Sequence, residues 1–535
     1  MKKNLERGNA TIQIELDDLR EGSDCILPNA SRVTLGLPRP PRKYYRHGWQ
    51  SWSLAAWTDL SPLPVQKPAI FHPLQIDPLY AYEKRPHGSW VGAVEFEDGK
   101  ILLLGALGTD AHVRLKDDQL EGWYESGEGE WFIGIGSERE TFSGYAQALG
   151  TRFGFVTPKP APRVWCSWYS LYTAIDEPIL HRVFDELGDL PFDVLQVDDG
   201  WQVKTGDWEA NKKFPSGMTA LADRIKSTGC KAGLWLAPLI ATQSSRLFRE
   251  HPDWFLKDEK RKFVSAGFNW GEYLYALDTT HPATLDWLAA LMKQVRAWGF
   301  DYLKLDFLYA GALPGKRHIE TSREAAYRNG LKVLREAMGA DAFFLTCGAP
   351  ILPSLGLCDA LRVGPDVAGD WEVHRDAVLL QNPTTPGTRN GLRASVGRLW
   401  LAPLVKPDPD VAYFTAQGNT MTAEQKQLLQ DLALVCNFKA ASDLPQWMTP
   451  SERESLRSFL TATPRVKRLD RAAFQLDSRR VDFSSALPLP GQAEGAEKLW
   501  AEFLGWLGSQ TVALKILKVN DDRALKRRRE SLDKK

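Results

Sequence analysis

"FDVLQVDDGW", residues 192 to 201, is the stretch that decides the architecture. Val194, Leu195 and Val197 form a nearly continuous apolar run, interrupted only by Gln196. The run stops on two adjacent acids, Asp198 and Asp199, with Gly200 behind them. Strict alternation would mean a sheet with one wet face. A continuous run reads instead as a strand buried on both faces, as in a parallel sheet covered by helices. The flanking sequence repeats this pattern. Upstream, VWCSWYS reads as a strand and DEPILHRVFDELGDLP as a helix by its apolar spacing. Downstream come helix SGMTALADRIKSTG, strand KAGLWLAPL, helix TLDWLAALMKQVRAWG, strand FDYLKLDFLYAG, helix SREAAYRNGLKVLREAMG and strands DAFFLTCGAP and CDALRVGPDV. GRLWLAPLVKPD reads as a seventh strand, with MTAEQKQLLQDLALVC as the helix after it. About seven or eight strand–helix units over roughly 290 residues predict an α/β fold of the (β/α)8 TIM-barrel kind. The interval 239–301 exceeds one unit and predicts an insertion carrying EHPDWFLKD and WGEYLYALDTTHP. WLAPL occurs at 235 and again at 400, which we read as similar strand chemistry, not a repeat.

Outside this core the pattern changes. TPKPAPRV, residues 157–164, is proline-rich and marks a boundary. Residues 1–158 hold short apolar or alternating runs (ATIQIELDD, SRVTLGL, SWVGAVEFEDGKILLLGAL, EWFIGIG) and no evident long helix. They predict an N-terminal β-sandwich. Residues 159–448 are assigned to the barrel, and 449–535 to a C-terminal antiparallel β-domain with a charged tail. The β-like segments of that last part are FLTATPRVKRLDRAAFQLDSRRVDFSS and AEKLWAEFLGWLGSQTVALKILKV; the tail DDRALKRRRESLDKK reads as solvated.

Composition narrows the function. The 67 basic and 67 acidic side chains balance, which argues against a nucleic-acid binder. No run reaches the roughly 18 apolar residues of a membrane span. MKKNLERGNATIQIELDD lacks an apolar leader core, so a cytoplasmic location is expected. The six cysteines, at 25, 166, 230, 347, 358 and 436, show no CxxC spacing and read as reduced thiols. His47, His251, His281 and His318 are scattered without metal-ligand spacing, and no phosphate loop, GxGxxG or GxSxG is present. No cofactor or metal is expected. The 20 tryptophans fit a site that stacks on the C–H face of a sugar.

In a barrel, chemistry sits at the C-terminal ends of the strands. The second strand ends on Asp198 and Asp199, the third on Trp235, the fourth on Lys304 and Asp306, the fifth on Cys347, and the sixth on Arg362 and Asp366. A single Asp there often caps the next helix. Three strands ending on acids, with a lysine and an arginine among them, point to one polar site. Two carboxylates facing one small site are what glycoside hydrolysis requires. Strands four and six are alternate neighbours, which predicts carboxyls roughly 5 Å apart, the retaining geometry. Lys304 could be an aldolase Schiff-base lysine, but Asp306 two residues on is expected to pair with it and keep it charged. Gly364-Pro365 should turn the chain so that Asp366 faces Asp306.

These residues resemble a known family. WCSWYS, FDVLQVDDGW followed by GDW, GLWLAPL, EHPDWFLKD, ALDTTHP, YLKLDFLYAGALPG and CGAPILPSLGLCDALRVGPD are similar to the family 36 alpha-galactosidases of the melibiase type, from about residue 30 to 400 and more weakly beyond. The resemblance implies a β-sandwich, a (β/α)8 barrel and a C-terminal β-domain. It implies Asp306 as nucleophile and Asp366 as acid/base. Asp198 and Asp199 would bind galactose O4 and O6, and Lys304 and Arg362 would bond ring hydroxyls and orient the two acids. Trp168 and Trp235 would be pocket walls, Trp49 or Trp52 a tryptophan reaching over from the sandwich, and Cys347 a residue near O2. The implied activity is retaining hydrolysis of terminal alpha-galactosyl units of small oligosaccharides of the melibiose or raffinose type. A raffinose-synthase-type galactosyltransferase, an alpha-N-acetylgalactosaminidase and a non-catalytic sugar-binding protein are the alternatives. No oligomeric state is implied. VAGDWEVHRDAVLL after Asp366 and the long C-terminal tail depart from the family pattern.

Overall fold

The computed structural model describes residues 11–14, 24–61, 75–154, 159–372, 383–490, 495–496, 499–500 and 503. Two sheets form the N-terminal part. One has five strands in the order Thr11–Ile14, Arg32–Gly36, Gln119–Tyr124, Ala111–Lys116, His87–Ser89. The other has six, in the order Asp24–Ala30, Gly129–Gly136, Ile101–Ala106, Val91–Glu95, Lys43–His47, Ala55–Thr58. Buried residues such as Leu104, Val113, Leu120 and Trp131 fill the space between them. The Tyr44 hydroxyl crosses that space to donate to the Val113 carbonyl at 3.1 Å.

A 16-residue helix, Glu138–Phe153, follows, where the sequence pattern promised none. Ser137 caps it by accepting from the Glu140 amide. Its buried face is Phe142, Tyr145, Ala146 and Leu149, a proper i, i+3, i+4, i+7 stripe. Ser143, Gly144, Gly150 and Thr151 dilute the stripe with poor helix formers, so packing rather than propensity holds the helix. Tyr145 donates to the Ala106 carbonyl at 2.8 Å, and the rings of Phe142 and Tyr145 lie against Trp400 of the next part of the chain.

The central element is an eight-stranded parallel sheet. Its strands, in chain order, are Val164–Cys166, Val194–Val197, Lys231–Leu236, Tyr302–Leu305, Phe343–Thr346, Ala360–Arg362, Lys406–Asp408 and Ala440–Ala441. The first seven pair in succession, and the eighth pairs with the first. Ala412, just past the seventh strand, donates its amide to the Ala440 carbonyl at 2.8 Å, so the sheet curls back on itself. Four of the expected helices stand as Glu177–Glu186, Gly217–Lys226, Pro282–Ala297 and Arg323–Met338. The fifth, Ala423–Cys436, starts on a capping box of Thr422 and Gln425. The insertion is a three-stranded sheet of Ile240–Thr242, Glu272–Ala276 and Ser265–Asn269.

Three expectations need correction. VWCSWYS is a strand only to Cys166; Trp168–Leu171 is helical. WLAPL at 235 is strand, but at 400 it lies in the 3₁₀ turn Leu399–Leu401 and the turns after it, and the seventh strand begins at Lys406. The segment after 449 opens with a helix, Pro450–Thr461, before the three-stranded antiparallel sheet Val466–Arg468, Ala473–Leu476, Arg479–Asp482. Thr449 and Glu452 form its capping box, and Leu456, Phe459 and Leu460 give it a buried face. Of the segment 496–519 read as β-like, the described residues Ala496, Leu499, Trp500 and Phe503 are helical, and the rest, with the charged tail, lies outside the described residues. All six cysteines are unpaired thiols. Among the described residues no helix is long and apolar enough to cross a membrane.

Candidate active site

The site is built at the C-terminal ends of the parallel strands. Beyond the second strand, Asp198 and Asp199 are both buried, 2% and 3% exposed. Two adjacent anions are tolerable there only because each has its own partners. Asp198 Oδ2 accepts from Lys304 Nζ at 3.0 Å and Gln196 Nε2 at 2.6 Å, and its amide donates to Ser167 Oγ at 2.9 Å. Asp199 accepts from Gln202 Nε2 at 2.6 Å and from the indole of Trp270 at 2.7 Å. Burial pushes the Asp199 carboxyl up to about 6, with Asp198 adding to the shift and the Gln202 and Trp270 donors opposing it. At Lys304 burial works against the charge, but Asp198, Cys166 and Asp306 outweigh it and hold its pKa well above the usual lysine range.

Asp306 sits one residue past the fourth strand, and its amide donates to the Leu236 carbonyl at 2.8 Å. Phe307 takes a left-handed conformation, φ 54°, and donates its amide to Asp306 Oδ1 at 2.9 Å. Trp235 Nε1 donates to the other oxygen at 3.0 Å. The expected Lys304–Asp306 pair is therefore absent, and Lys304 serves Asp198. Strand alternation stops at Leu305, so it does not govern where the Asp306 carboxylate points. An aromatic wall surrounds this acid: Trp235 on Trp270, Trp270 on Phe307, Phe307 on Trp52, with ring centroids 6.2, 5.5 and 5.3 Å apart. Gly348, at φ +52°, is required beside it, because a Cβ there would come within 2.9 Å of the Trp52 ring.

The sixth strand ends at Arg362, and Gly364-Pro365 forms the expected bend. Gly364 is needed for close approach: a Cβ would stand 2.7 Å from the Gly391 carbonyl of the helix Thr388–Gly397. Asp366 emerges from the bend with 31% of its side chain exposed, and Oδ1 accepts from Arg362 Nη1 at 2.7 Å. Arg362 itself is buried and also binds Asp408 Oδ2 through Nε at 2.8 Å and Asp410 through Nη1 and Nη2 at 2.8 and 2.9 Å. Enclosure by the surrounding protein pushes the Asp366 carboxyl up to about 7; Arg362 and Lys304 oppose that shift, and Asp410 and Asp306 reinforce it.

The loop 48–53 reaches this region from the N-terminal sheets. Ser51 and Ile351 donate their amides to the Ala349 and Trp49 carbonyls, both at 3.0 Å. Arg398 clamps the loop from below: Nη1 binds the Ser51 and Val363 carbonyls at 2.7 and 2.8 Å, and Nη2 the Gln50 and Gly48 carbonyls at 3.0 and 3.1 Å. Trp49 and Trp52 are buried, and their indole N–H groups find no acceptor among the described residues. Cys347 is fully buried, its thiol raised by burial first and then by Asp306, while Arg362 pulls it down. Trp168 packs edge-on against Tyr172, while its neighbour Tyr169 donates its hydroxyl to Asp410. Asp370 and Trp371 are half-buried at the edge of the described chain.

Sequence reasoning missed Gln196, Gln202, Trp270, Tyr169, Asp408 and Asp410. The last two had a signal. Lys406-Pro407-Asp408-Pro409-Asp410 ends a strand on acids just as strands two, four and six do; the expected strand GRLWLAPLVKPD already closes on Asp408, but sequence reasoning did not count its end among the strand-end acids. Trp270 sits at a hairpin tip of the insertion, and nothing in its local sequence ties it to Asp199.

Residues 140–338 match the family model described as Melibiase. Alpha-galactosidase 2 of Pediococcus pentosaceus is 30% identical over 172 residues, 30% of this chain and 23% of that protein, so the match spans about a quarter of the curated relative. The alpha-galactosidase from Thermus thermophilus, solved in complex with p-nitrophenyl alpha-D-galactopyranoside, superposes with a TM-score of 0.82 and 46% identity over 86% of this chain and 94% of that one. A second structure of that enzyme contains stachyose. A variant of the GH36 alpha-galactosidase AgaA of Geobacillus stearothermophilus, solved with raffinose, shares the fold at a TM-score of 0.56 and 14% identity over 80% of this chain and 61% of that one. Identity of 46% along nearly the whole Thermus chain is far more than a shared fold produces, and the present chain belongs to the melibiase-type alpha-galactosidases of glycoside hydrolase family 36.

Proposed function

We propose that the protein is a retaining alpha-galactosidase, hydrolysing non-reducing terminal alpha-galactosyl units of small oligosaccharides by double displacement. The observation that carries this reading is the pair Asp306 and Asp366. They leave alternate strands of one curled sheet, and they differ in their partners. Two N–H donors aim the Asp306 carboxylate. Asp366 is raised to about 7 and partly open to solvent, so near neutral pH it can hold a proton and release it.

In this mechanism Asp306 attacks C1 of the galactosyl unit while Asp366 protonates the leaving oxygen. The covalent galactosyl-enzyme is then opened by water, which gives its proton to Asp366, and galactose leaves with retained configuration. Asp198 and Asp199 receive the O4 and O6 hydroxyls, Lys304 and Arg362 bond other ring hydroxyls, and Cys347 lies near O2. Among the described residues the indole N–H groups of Trp49 and Trp52 meet no acceptor, which is compatible with a hydroxylated ligand beneath the loop. We further propose the layout of an N-terminal sandwich (1–158), a (β/α)8 barrel (159–448) and a C-terminal β-domain (449–535). Pairing of the eighth strand with the first, and the Ala412–Ala440 contact, support closure of the barrel.

The test is release of p-nitrophenol from p-nitrophenyl alpha-galactoside, with NMR of the first-formed sugar. The alpha anomer of galactose is expected first. Initial beta anomer, transfer without hydrolysis, or no release would refute the reading.

A further inference from the structure

Arg362 is a shared cation. Its Nη1 binds both Asp366 Oδ1 and Asp410 Oδ2, at 2.7 and 2.8 Å, while Nη2 and Nε bind Asp410 and Asp408. One positive charge thus serves three carboxylates. Asp408 and Asp410 are almost fully buried, and neither is a residue to which the hydrolysis assigns a step. They are held rigidly: Asp408 accepts from the Asp410 amide at 2.8 Å, and Asp410 accepts from the Val411 and Val367 amides at 2.9 and 3.1 Å. Val367 is the residue after Asp366, so Asp410 fixes the backbone of the acid/base as well as its counter-ion.

We infer that Asp410 is a positioning residue that sets the protonation of Asp366 by competing with it for one guanidinium nitrogen. The inference rests on Asp366 being the acid/base of the proposed hydrolysis. An arginine 2.7 Å from a carboxylate would by itself favour the ionised form. An acid that must carry a proton near neutral pH needs that pull cancelled. The charged groups facing Asp366 are Arg362 and Lys304 on one side of the balance and Asp306 and Asp410 on the other, with the neutral Tyr169 and Cys347 beside them. Asp410 cancels Arg362 at its source, being bonded to the same nitrogen. Tyr169 supports Asp410 in this competition, because its hydroxyl donates to Oδ2 of Asp410, the oxygen that meets Nη1, and so favours the ionised carboxylate.

Loss of either residue should therefore act in the same direction. In Asp410→Asn, Arg362 turns more of its charge on Asp366. The descending alkaline limb of kcat/KM for stachyose should move down by about one pH unit, about a tenfold loss above the limb. The p-nitrophenyl galactoside, whose leaving group needs little protonation, should be affected much less. In Tyr169→Phe, Asp410 loses a donor that favours its ionised form, opposes Arg362 less, and the limb should move down by a smaller amount. A limb unmoved in folded Asp410→Asn, or an upward shift in either variant, overturns the inference. Should Asp410→Asn fail to fold, Tyr169→Phe decides alone: a downward shift supports it and an unmoved limb overturns it. A wild-type protein without galactosidase activity would instead refute the functional reading.

Discussion

Replacing Asp366 by alanine separates proton donation from every other task of the site. The surroundings make the variant interpretable. Arg362 keeps its bonds to Asp408 and to both oxygens of Asp410, so no buried cation is stranded. The Gly364-Pro365 bend stays pinned, because the Asp366 carbonyl accepts from the Gly387 amide at 2.9 Å and that bond does not involve the side chain. The space left is partly open, since 31% of the side chain meets solvent, and a small anion can enter it. General acid catalysis contributes about a hundred- to ten-thousandfold, and each tenfold corresponds to about 1.4 kcal/mol of barrier, so about 3–5 kcal/mol is at stake for a poor leaving group. kcat/KM for stachyose should fall by that range. For p-nitrophenyl alpha-galactoside the first step should survive, the second should stall for want of a base, and azide should restore turnover as alpha-galactosyl azide is formed. Rates followed by galactose release and by p-nitrophenol absorbance give both numbers. Equal loss on the two substrates with no azide rescue would refute Asp366 as the acid/base.

Three further outcomes are expected. Asp366→Asn should stabilise the unliganded protein at alkaline pH. A carboxyl raised to about 7 when folded, from 3.8 when unfolded, favours the fold below its unfolded pKa and loses that contribution as pH rises towards 7. The Tm advantage of the variant should therefore be absent near pH 3.5 and grow up to pH 8; a constant difference would contradict the linkage. Lys304→Met removes the counter-charge of Asp198 and should destabilise by about 3–5 kcal/mol in urea unfolding, together with loss of activity. Arg398→Lys gives up at least part of a four-carbonyl clamp, each charged bond being worth about 1.5–3 kcal/mol. KM should rise more than kcat falls, because the loop carrying Trp49 and Trp52 is released; an unchanged KM would show that the loop needs no clamp.

The parallel strands were legible where they are continuous apolar runs, as at Val194–Val197 and Tyr302–Leu305, and Asp198, Asp306 and Asp366 were found by reading strand ends. What escaped did so for physical reasons. The seventh strand is three residues of Lys406-Pro407-Asp408, neither apolar nor β-prone, and the eighth is Ala440-Ala441, so hydrophobic pattern could place neither closely. The expected strand GRLWLAPLVKPD ends correctly on Asp408, but its apolar part is the 3₁₀ turn and Asp410 lies two residues beyond it past Pro409, so no apolar run leads up to these acids. Glu138–Phe153 is a helix by docking on neighbouring sheets and Trp400, which are remote in sequence. The Lys304–Asp306 pairing failed one residue past the end of regular strand geometry, where the left-handed Phe307 turns the chain.

The clamped loop 48–53 has a consequence for inheritance among relatives. Part of the aromatic wall beside Asp306 is encoded by the N-terminal part of the chain, and its fastening point, Arg398, by the central fold. A chimera joining the N-terminal portion of one relative to the remainder of another would transplant Trp49 and Trp52 along with the sheets. Unless the recipient supplies an arginine where Arg398 stands, the graft would carry the tryptophans but not their placement. Exchange of whole segments should therefore alter substrate preference as a unit, whereas drift on either side of the joint is constrained by the other.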